Sequence, residues 1–359
     1  MDVAQRVAQR RPAYLAALAG GTERFHEPRS ADCPWCGSPR LRIRLRTADL
    51  IQHKPGAFTL DRCANCAHLF QNPRLTPEGQ EFYRRDSSDR DLRAGLGAKA
   101  AAALVGVRPT DRRHLARARA MRALDEPECW LDVGTGRARF PALARQVLPY
   151  TSFDGLDPGR GVEQAVRRGR VEEGHRGTLT GLADALAGRY DALSLFHQLE
   201  RAPDPRAELR AAKAALRPGG HLMIETTDPG CRYAKVLGKW WPSYAQPRHL
   251  HLIPLANLRR ELEELGFTVV GVERRAAHVP ADLGGALALL LNRCLPRADV
   301  PWRARPAHPL RLRLRRAAWG ACLPLLALAL LLDALLAPLL TRTGFSNAYR
   351  LLARRGADD

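Results

Sequence analysis

The 359-residue sequence predicts an α/β fold: a parallel sheet with crossover helices, preceded by a small cysteine module and followed by an apolar helical tail. Three observations predict it. From about residue 126, short apolar runs alternate with helical segments, the pattern of strands buried between crossover helices. Upstream, CPWC and CANC set four cysteines in two close pairs. Downstream, AAWGACLPLLALALLLDALLAPLL carries one charge, Asp333, in 24 residues.

Residues 1–28 read as a short helical or loose leader, because MDVAQRVAQRRPAYLAALAGG has arginines but only a weak apolar run, too weak for a secretory signal. Residues 29–75 hold the pattern C-x2-C-x26-C-x2-C. Each pair sits on a tight turn that makes two thiolates converge, and Cys33, Cys36, Cys63 and Cys66 complete a closed tetrahedral zinc site with a structural role. LRIRLRT and FTLDRC read as the strands of a zinc ribbon. Cys129, Cys231, Cys294 and Cys322 are scattered, so the cysteines are not a disulfide framework and the expected compartment is the reducing cytoplasm. Residues 76–125 are a charged, glycine-bearing linker region that carries a helix.

The sheet domain is expected over 126–278. ECWLDVG is its first strand, RARFPALARQVL the following helix, TSFDGLDP the second strand and YDALSLF a later one. DPRAELRAAKAALRPGG begins on an Asp-Pro cap signal and stops at Pro218-Gly219-Gly220, after which HLMIETT resumes as a strand. PLANLRRELEELGF is an amphipathic helix ended by Gly266, and FTVVGVE is the strand after it.

Within LDVGTGRARF, Gly134 and Gly136 permit the tight turn and close backbone approach that a bulky cofactor needs. A dinucleotide loop would place a third glycine at 139, where Arg139 stands, which weakens a dehydrogenase reading. Asp132 beside a pyrophosphate would set like charge against like charge. It suits a cationic ligand such as S-adenosylmethionine, whose ribose hydroxyls match Asp157 at the end of the second strand.

Together LDVGTGRARF, GLDPG, YDALSLFHQLERAPDPRAELRAAKAALRPGGHLMIETTDP and YAQPRHLHLIPLANLRRELEELGF resemble class I S-adenosylmethionine-dependent methyltransferases, in the subgroup that acts on small molecules and sugar-type metabolites. AHLFQNPRLTPEGQEFY resembles the zinc ribbons found ahead of such domains. The resemblance implies a Rossmann-like sandwich with Asp132, Gly134 and Gly136 at the methionine end, Asp157 on the ribose, and Leu156 and Leu179 beside the adenine. Two departures stand out: Ala138 replaces a usual glycine, and Leu199-Glu200-Arg201-Ala202 lacks the family's usual histidine.

Methyl transfer needs alignment, plus a base where the acceptor must lose a proton. His249 in PRHLHL and His197 just past YDALSLF are the base candidates, each with a buried structural histidine as the alternative. Tyr244, with Trp240 and Trp241, offers aromatic faces for an acceptor or for lid packing. Glu200 is either a pocket polar group or a helix-start carboxylate.

The segment 279–359 is expected to be membrane-associated. Eleven leucines over residues 323–340 outweigh Asp333 on an insertion scale. Arg311, Arg313, Arg315 and Arg316 precede the run, and Arg342, Arg350, Arg354 and Arg355 follow it. Positive charge on both flanks favours a helix, paired with LGGALALLL, lying in or dipping into the inner leaflet. A buried helix in the core or a dimer interface is the alternative, and FSNAYRLLARR is read as a possible last strand of the sheet.

The net charge of +20 comes almost wholly from arginine, and no RNA-reading module accompanies it, so nucleic acid has a minor place. The expected function is methyl transfer from S-adenosylmethionine to a small metabolite, glycan precursor or lipid-linked acceptor at the cytoplasmic membrane face. A non-catalytic membrane-associated interaction protein with a degenerate fold and an RNA methyltransferase are the alternatives, the last requiring salt-sensitive RNA binding.

Overall fold

The computed structural model describes residues 3–86 and 109–357. The chain forms two compact units and alternates between them: Met1–Val107, Arg232–Leu250 and Pro280–Leu340 make the first, and Arg108–Cys231, His251–Val279 and Thr341–Asp359 the second.

The first unit contains β1 (Leu41–Thr47), β2 (Phe58–Cys63) and β3 (Leu69–Gln71) as an antiparallel meander. The helix Pro77–Arg84 follows, with the Thr76 hydroxyl accepting from the Gly79 N–H and Pro77 at its first turn. Phe82 and Tyr83 on that helix join Tyr14, Phe25, Phe58, Leu75 and Trp302 in an aromatic core. Lys54 is buried in this core. Its ammonium donates to the carbonyls of Phe82, Tyr83 and Arg85 at 2.7, 3.1 and 2.6 Å, satisfying the open carbonyls at the helix end.

The same unit holds the helices Asp282–Cys294, Pro309–Ala321 and Leu323–Leu340. Asp333 is buried and caps the start of the first of them, accepting N–H bonds from Leu283 at 3.0 Å and Gly284 at 2.8 Å. A Cβ at Gly284 would come within 2.5 Å of Leu330, so glycine there sets the close approach of the two helices. The charge that counted against membrane insertion in the sequence is thus turned inward onto protein.

The second unit is built on β4 (Cys129–Val133), β5 (Ser152–Leu156), β6 (Gly174–His175), β7 (Tyr190–Phe196), β8 (Leu216–Thr227), the two-residue β9 (His251–Leu252), β10 (Phe267–Glu273) and β11 (Ala348–Arg355). Seven of these form one sheet in the order β10-β11-β8-β7-β4-β5-β6. The run from β8 to β6 is parallel, while β11 pairs antiparallel with both β8 and β10. Trp130, Phe140, Phe153 and Met223 sit in its buried core. The crossover helix Pro205–Ala215 starts as its sequence predicts: the Asp204 carboxylate accepts from the N–H groups of Arg206 and Ala207 at 2.9 and 3.1 Å. It ends at Ala215, and β8 begins at Leu216, so Pro218-Gly219-Gly220 lies inside the strand.

The strand order fixes where 279–359 belongs. AYRLLARR inserts between β8 and β10. The expected tail therefore divides: Pro280–Leu340 is an excursion between two strands of one sheet, and the chain returns from it.

Candidate functional site

In the second unit β4 ends at Val133 and β5 at Leu156, as parallel neighbours in the sheet, which puts their loops at the same edge. The N–H groups of Gly134 and Thr135 both donate to the Leu156 carbonyl, at 2.7 and 3.1 Å, closing the first loop on the second strand. Gly134 and Gly136 have φ of 71° and 56°. A Cβ at Gly134 would lie 2.0 Å from the Gln198 amide, whereas nothing lies within 4 Å of one at Gly136. Gly134 and Gly136 are thus both required by backbone; the Gln198 amide in front of Gly134 is the movable end of a side chain, and Gly136 has room in front of it.

Asp157 holds the two loops together. Its carboxylate accepts from the Gly136 N–H at 3.0 Å and the Gly159 N–H at 2.7 Å. Asp132 is buried on β4 and accepts from the Ser194 hydroxyl at 2.7 Å, while Ser194 accepts from Trp130 Nε1 at 3.0 Å. Burial raises the Asp132 carboxyl to about 6, outweighing the Ser194 hydrogen bond, which lowers it. Leu156 and Leu179 are buried apolar residues of the same unit. Ser194, Gln198 and Gly161 escaped the sequence reading. Gly161 allows its helix to pack on the loop, since a Cβ there would meet the Gly136 carbonyl at 2.7 Å. Its only sequence signal was its position in GLDPGRG.

Ala138, the departure from glycine, has φ 51° and ψ 53° at the start of the helix Arg139–Ala144. An alanine in this left-handed region carries strain. Ala138→Gly is expected to stabilise the protein by about 1 kcal/mol net of the added chain entropy, read as a higher urea midpoint at unchanged slope.

His197 lies at the end of β7 with φ 57°. Its Nδ1–H donates to Glu200 at 2.8 Å, and its Nε2 lies 3.6 Å from Glu225. Burial alone would lower its pKa, but Glu200 and then Glu225 outweigh that and raise it. Its Nε2 also accepts from the Arg113 guanidinium at 3.3 Å, so both ring nitrogens are engaged by protein groups. Glu200 resolves as a buried polar anchor, also accepting from the Thr227 N–H at 2.9 Å and the Thr227 hydroxyl at 3.1 Å. Beside it, Glu225 on β8 is fully buried among Arg113, Arg117 and Arg350; the sequence marked neither of the first two and read Arg350 as a positive flank of the apolar run, whereas it is fully buried against Glu225.

Tyr244 and His249 lie in the first unit, both buried. His249 Nδ1–H donates to the Ser243 carbonyl at 2.9 Å, which assigns the neutral ring's proton to Nδ1 and the basic lone pair to Nε2. Tyr244 packs edge-on against Trp241 at 4.9 Å, and Trp241 Nε1 donates to Asp282 at 2.7 Å. Trp241 is therefore a structural anchor of its segment.

The four cysteines of the first unit converge, with all their sulfur atoms within 4.8 Å of one another. Cys33–Cys66 and Cys36–Cys63 separations are 3.7 and 3.6 Å. The edge of a tetrahedron with four zinc–thiolate bonds of about 2.3 Å is about 3.8 Å. The two turns repeat one geometry: the Gly37 N–H donates to the Cys33 carbonyl at 2.9 Å and the Ala67 N–H to the Cys63 carbonyl at 3.0 Å, with φ of 66° and 59°. Backbone N–H groups of Asn65 and Cys66 point at Cys63 Sγ at 3.3 and 3.5 Å, the outer shell expected around a thiolate ligand.

Residues 109–272 match the family described as a methyltransferase domain. The ubiquinone biosynthesis O-methyltransferase of Pectobacterium atrosepticum is 30% identical over 129 residues, 34% of this chain and 52% of that protein. The enzyme of the same name from Xanthomonas axonopodis pv. citri is 35% identical over 111 residues, 30% of this chain and 42% of that protein. The chain spans about half the length of the curated relatives it matches. Among solved structures, a SAM-dependent methyltransferase from Archaeoglobus fulgidus shares 17% identity, with 68% of this chain and 94% of that chain covered and a TM-score of 0.42. The family match covers β4 to β10 and the loops carrying Asp132, Gly134, Gly136 and Asp157, so this stretch is similar to a methyltransferase domain.

Proposed function

We propose that the protein transfers the methyl group of S-adenosylmethionine to an oxygen of a small metabolite, glycan precursor or lipid-linked acceptor at the cytoplasmic face of a membrane. The carrying observation is the constellation at the ends of β4 and β5, where one loop is pinned by Asp157 and the buried Asp132 is oriented by Ser194. Asp132, Gly134 and Gly136 would hold the methionine end, Asp157 the ribose, and Leu156 and Leu179 the adenine. The cofactor supplies an already activated methyl on a sulfonium, so these residues need only bind and align it. The choice of oxygen rests on the names of the curated relatives, which are O-methyltransferases. Of the base candidates, His249 would take the acceptor's proton, while His197 orients its loop through Glu200 and Arg113; Tyr244 would contribute to the acceptor side.

We assign 29–75 as a zinc ribbon, 126–278 as the methyltransferase domain, and Cys33, Cys36, Cys63 and Cys66 as ligands of one structural zinc. Removing the metal with a chelator, or Cys63→Ala, is expected to cost the ribbon its fold, because structural zinc binding contributes on the order of 10 kcal/mol. Metal content by mass spectrometry and hydrogen exchange of β1–β3 check this. Retained protection without metal would refute a structural role.

The primary test is calorimetric titration of S-adenosylmethionine, S-adenosylhomocysteine and NAD into the zinc-loaded full chain. Binding of both adenosyl ligands and not of NAD is expected, and the absence of adenosyl binding by folded protein would end the enzyme reading. Affinity for the cationic S-adenosylmethionine should fall as pH drops below about 6, because the raised Asp132 carboxyl then takes up a proton and loses its charge.

A further inference from the structure

The excursion Pro280–Leu340 leaves and rejoins one sheet. β10 and β11, the strands on either side of it in the chain, pair antiparallel from Phe267↔Arg355 to Glu273↔Arg350. The helix Leu323–Leu340 has 18 residues and a mean hydropathy of 2.3, and by length and composition it could cross a bilayer. A single crossing would leave β10 and β11 on opposite sides of the membrane, which their pairing forbids. The helix Asp282–Cys294 offers no return crossing: its 13 residues span about 20 Å against a hydrocarbon core of about 30 Å.

Leu325, Leu328, Leu335 and Leu339 on the long helix are each more than half exposed, as are Leu310 and Leu314 on the preceding helix. Beside them the first unit contains a cavity of about 720 Å³. Ala288, Trp319 and Leu323 give it apolar wall, and Arg303, Arg315 and Arg316 give it positive charge. Its two carboxylates are engaged already, Asp86 with Arg10 at 2.6 Å and Asp299 with Arg11 at 2.7 Å. Arg315 is held in place, donating to the Pro296 carbonyl and the Asn292 amide oxygen, both at 2.7 Å. Burial and then neighbouring arginines lower the pKa of Arg303 and Arg315, the mark of positive charge gathered in one place. Arginine clusters recognise phosphate, and an apolar wall next to one suits an anion that carries a hydrocarbon chain.

We propose that this cavity binds the phosphate head of a membrane lipid, with Leu323–Leu340 lying in the membrane interface rather than crossing it. The inference deepens the membrane-facing part of the proposed function and does not depend on methyl transfer.

The test uses the zinc-loaded full chain. Calorimetric titration with short-chain phosphatidic acid below its micelle concentration is expected to show binding, with short-chain phosphatidylcholine and inorganic phosphate each weaker by roughly tenfold or more. Arg316→Ser should weaken phosphatidic acid binding by about fivefold, and Ala288→Trp, which fills the cavity, should abolish it. Arg316 is exposed, so its substitution keeps the test valid where the tryptophan disturbs folding. In flotation assays the chain should follow vesicles containing phosphatidic acid and leave those of phosphatidylcholine alone, with tags at both termini open to protease on the same side.

Equal affinity for phosphatidylcholine, inorganic phosphate binding as tightly as the lipid, indifference to both substitutions, or a protected C-terminal tag beside an accessible N-terminal one would each overturn the proposal. Titration of S-adenosylmethionine into the same preparation keeps the two readings apart. Cofactor binding without lipid binding defeats this inference alone, and lipid binding without cofactor binding defeats only the methyltransferase reading.

Discussion

Asp157→Ala is expected to bind S-adenosylmethionine on the order of a hundredfold more weakly than the parent while remaining folded. The carboxylate accepts from the N–H groups of Gly136 and Gly159, and in the proposed complex also from ribose hydroxyls. Hydrogen bonds to a charged group contribute about 1.5–3 kcal/mol each, and a loss near 3 kcal/mol corresponds to a little over a hundredfold in affinity. The fold should survive because the Gly134 and Thr135 N–H bonds to the Leu156 carbonyl do not involve the side chain. Calorimetry beside a urea melt reads both quantities. Undiminished affinity would remove Asp157 from the cofactor site, and a collapsed melt would make its role structural.

Glu225→Leu is expected to be the most damaging single change in the sheet unit, by about 3–5 kcal/mol. Glu225 accepts from Arg117 at 3.0 and 2.6 Å and from the fully buried Arg350 at 3.3 and 3.1 Å, and it also pairs with Arg113. Removing it would leave buried guanidinium groups of like charge facing one another. Arg350 retains Glu273 at 2.9 Å, so the variant tests the arginine cluster rather than the loss of every counter-charge.

The pH dependence follows from the same contacts. Burial pushes the Glu225 carboxyl up, but Arg117 and Arg113 together hold it well below the ordinary glutamate range. A depressed folded-state pKa stabilises the native state above the unfolded pKa, and that stability is lost as pH falls through the folded value. The parent should therefore lose stability in acid from pH 4–5 downward, about the unfolded glutamate pKa, and Glu225→Leu should show a flatter acid limb. Matching acid limbs in urea melts of the two proteins would refute this account.

Local chemistry was enough to read several features directly. The paired cysteines, the Asp204-Pro205 helix start, the Gly134 and Gly136 turn and the stop at Gly266 each depend on residues within a few positions of one another. Backbone sterics, capping and thiolate spacing act over that range, so the sequence carries them in plain form. Both the α/β class and the glycine turn after β4 were legible for this reason.

Other features depend on residues far apart in the chain. Glu225 meets Arg113 and Arg350 across 112 and 125 positions, and nothing local marks three arginines in an arginine-rich chain as the ones that are buried. Asp333 reads as a lone charge in an apolar helix until the N–H groups of Leu283 and Gly284 are found on its oxygens. The same holds for AYRLLARR. Hydropathy suggests a strand, but only pairing with β8 and β10 shows that the chain returns to the same sheet after the apolar segment. The sequence by itself determined the elements, the paired-cysteine turns and the glycine turn after β4, because those are short-range. Tertiary structure alone decided which charges are buried together and that the apolar helix is an excursion rather than a tail, because both depend on which distant segments pack against each other.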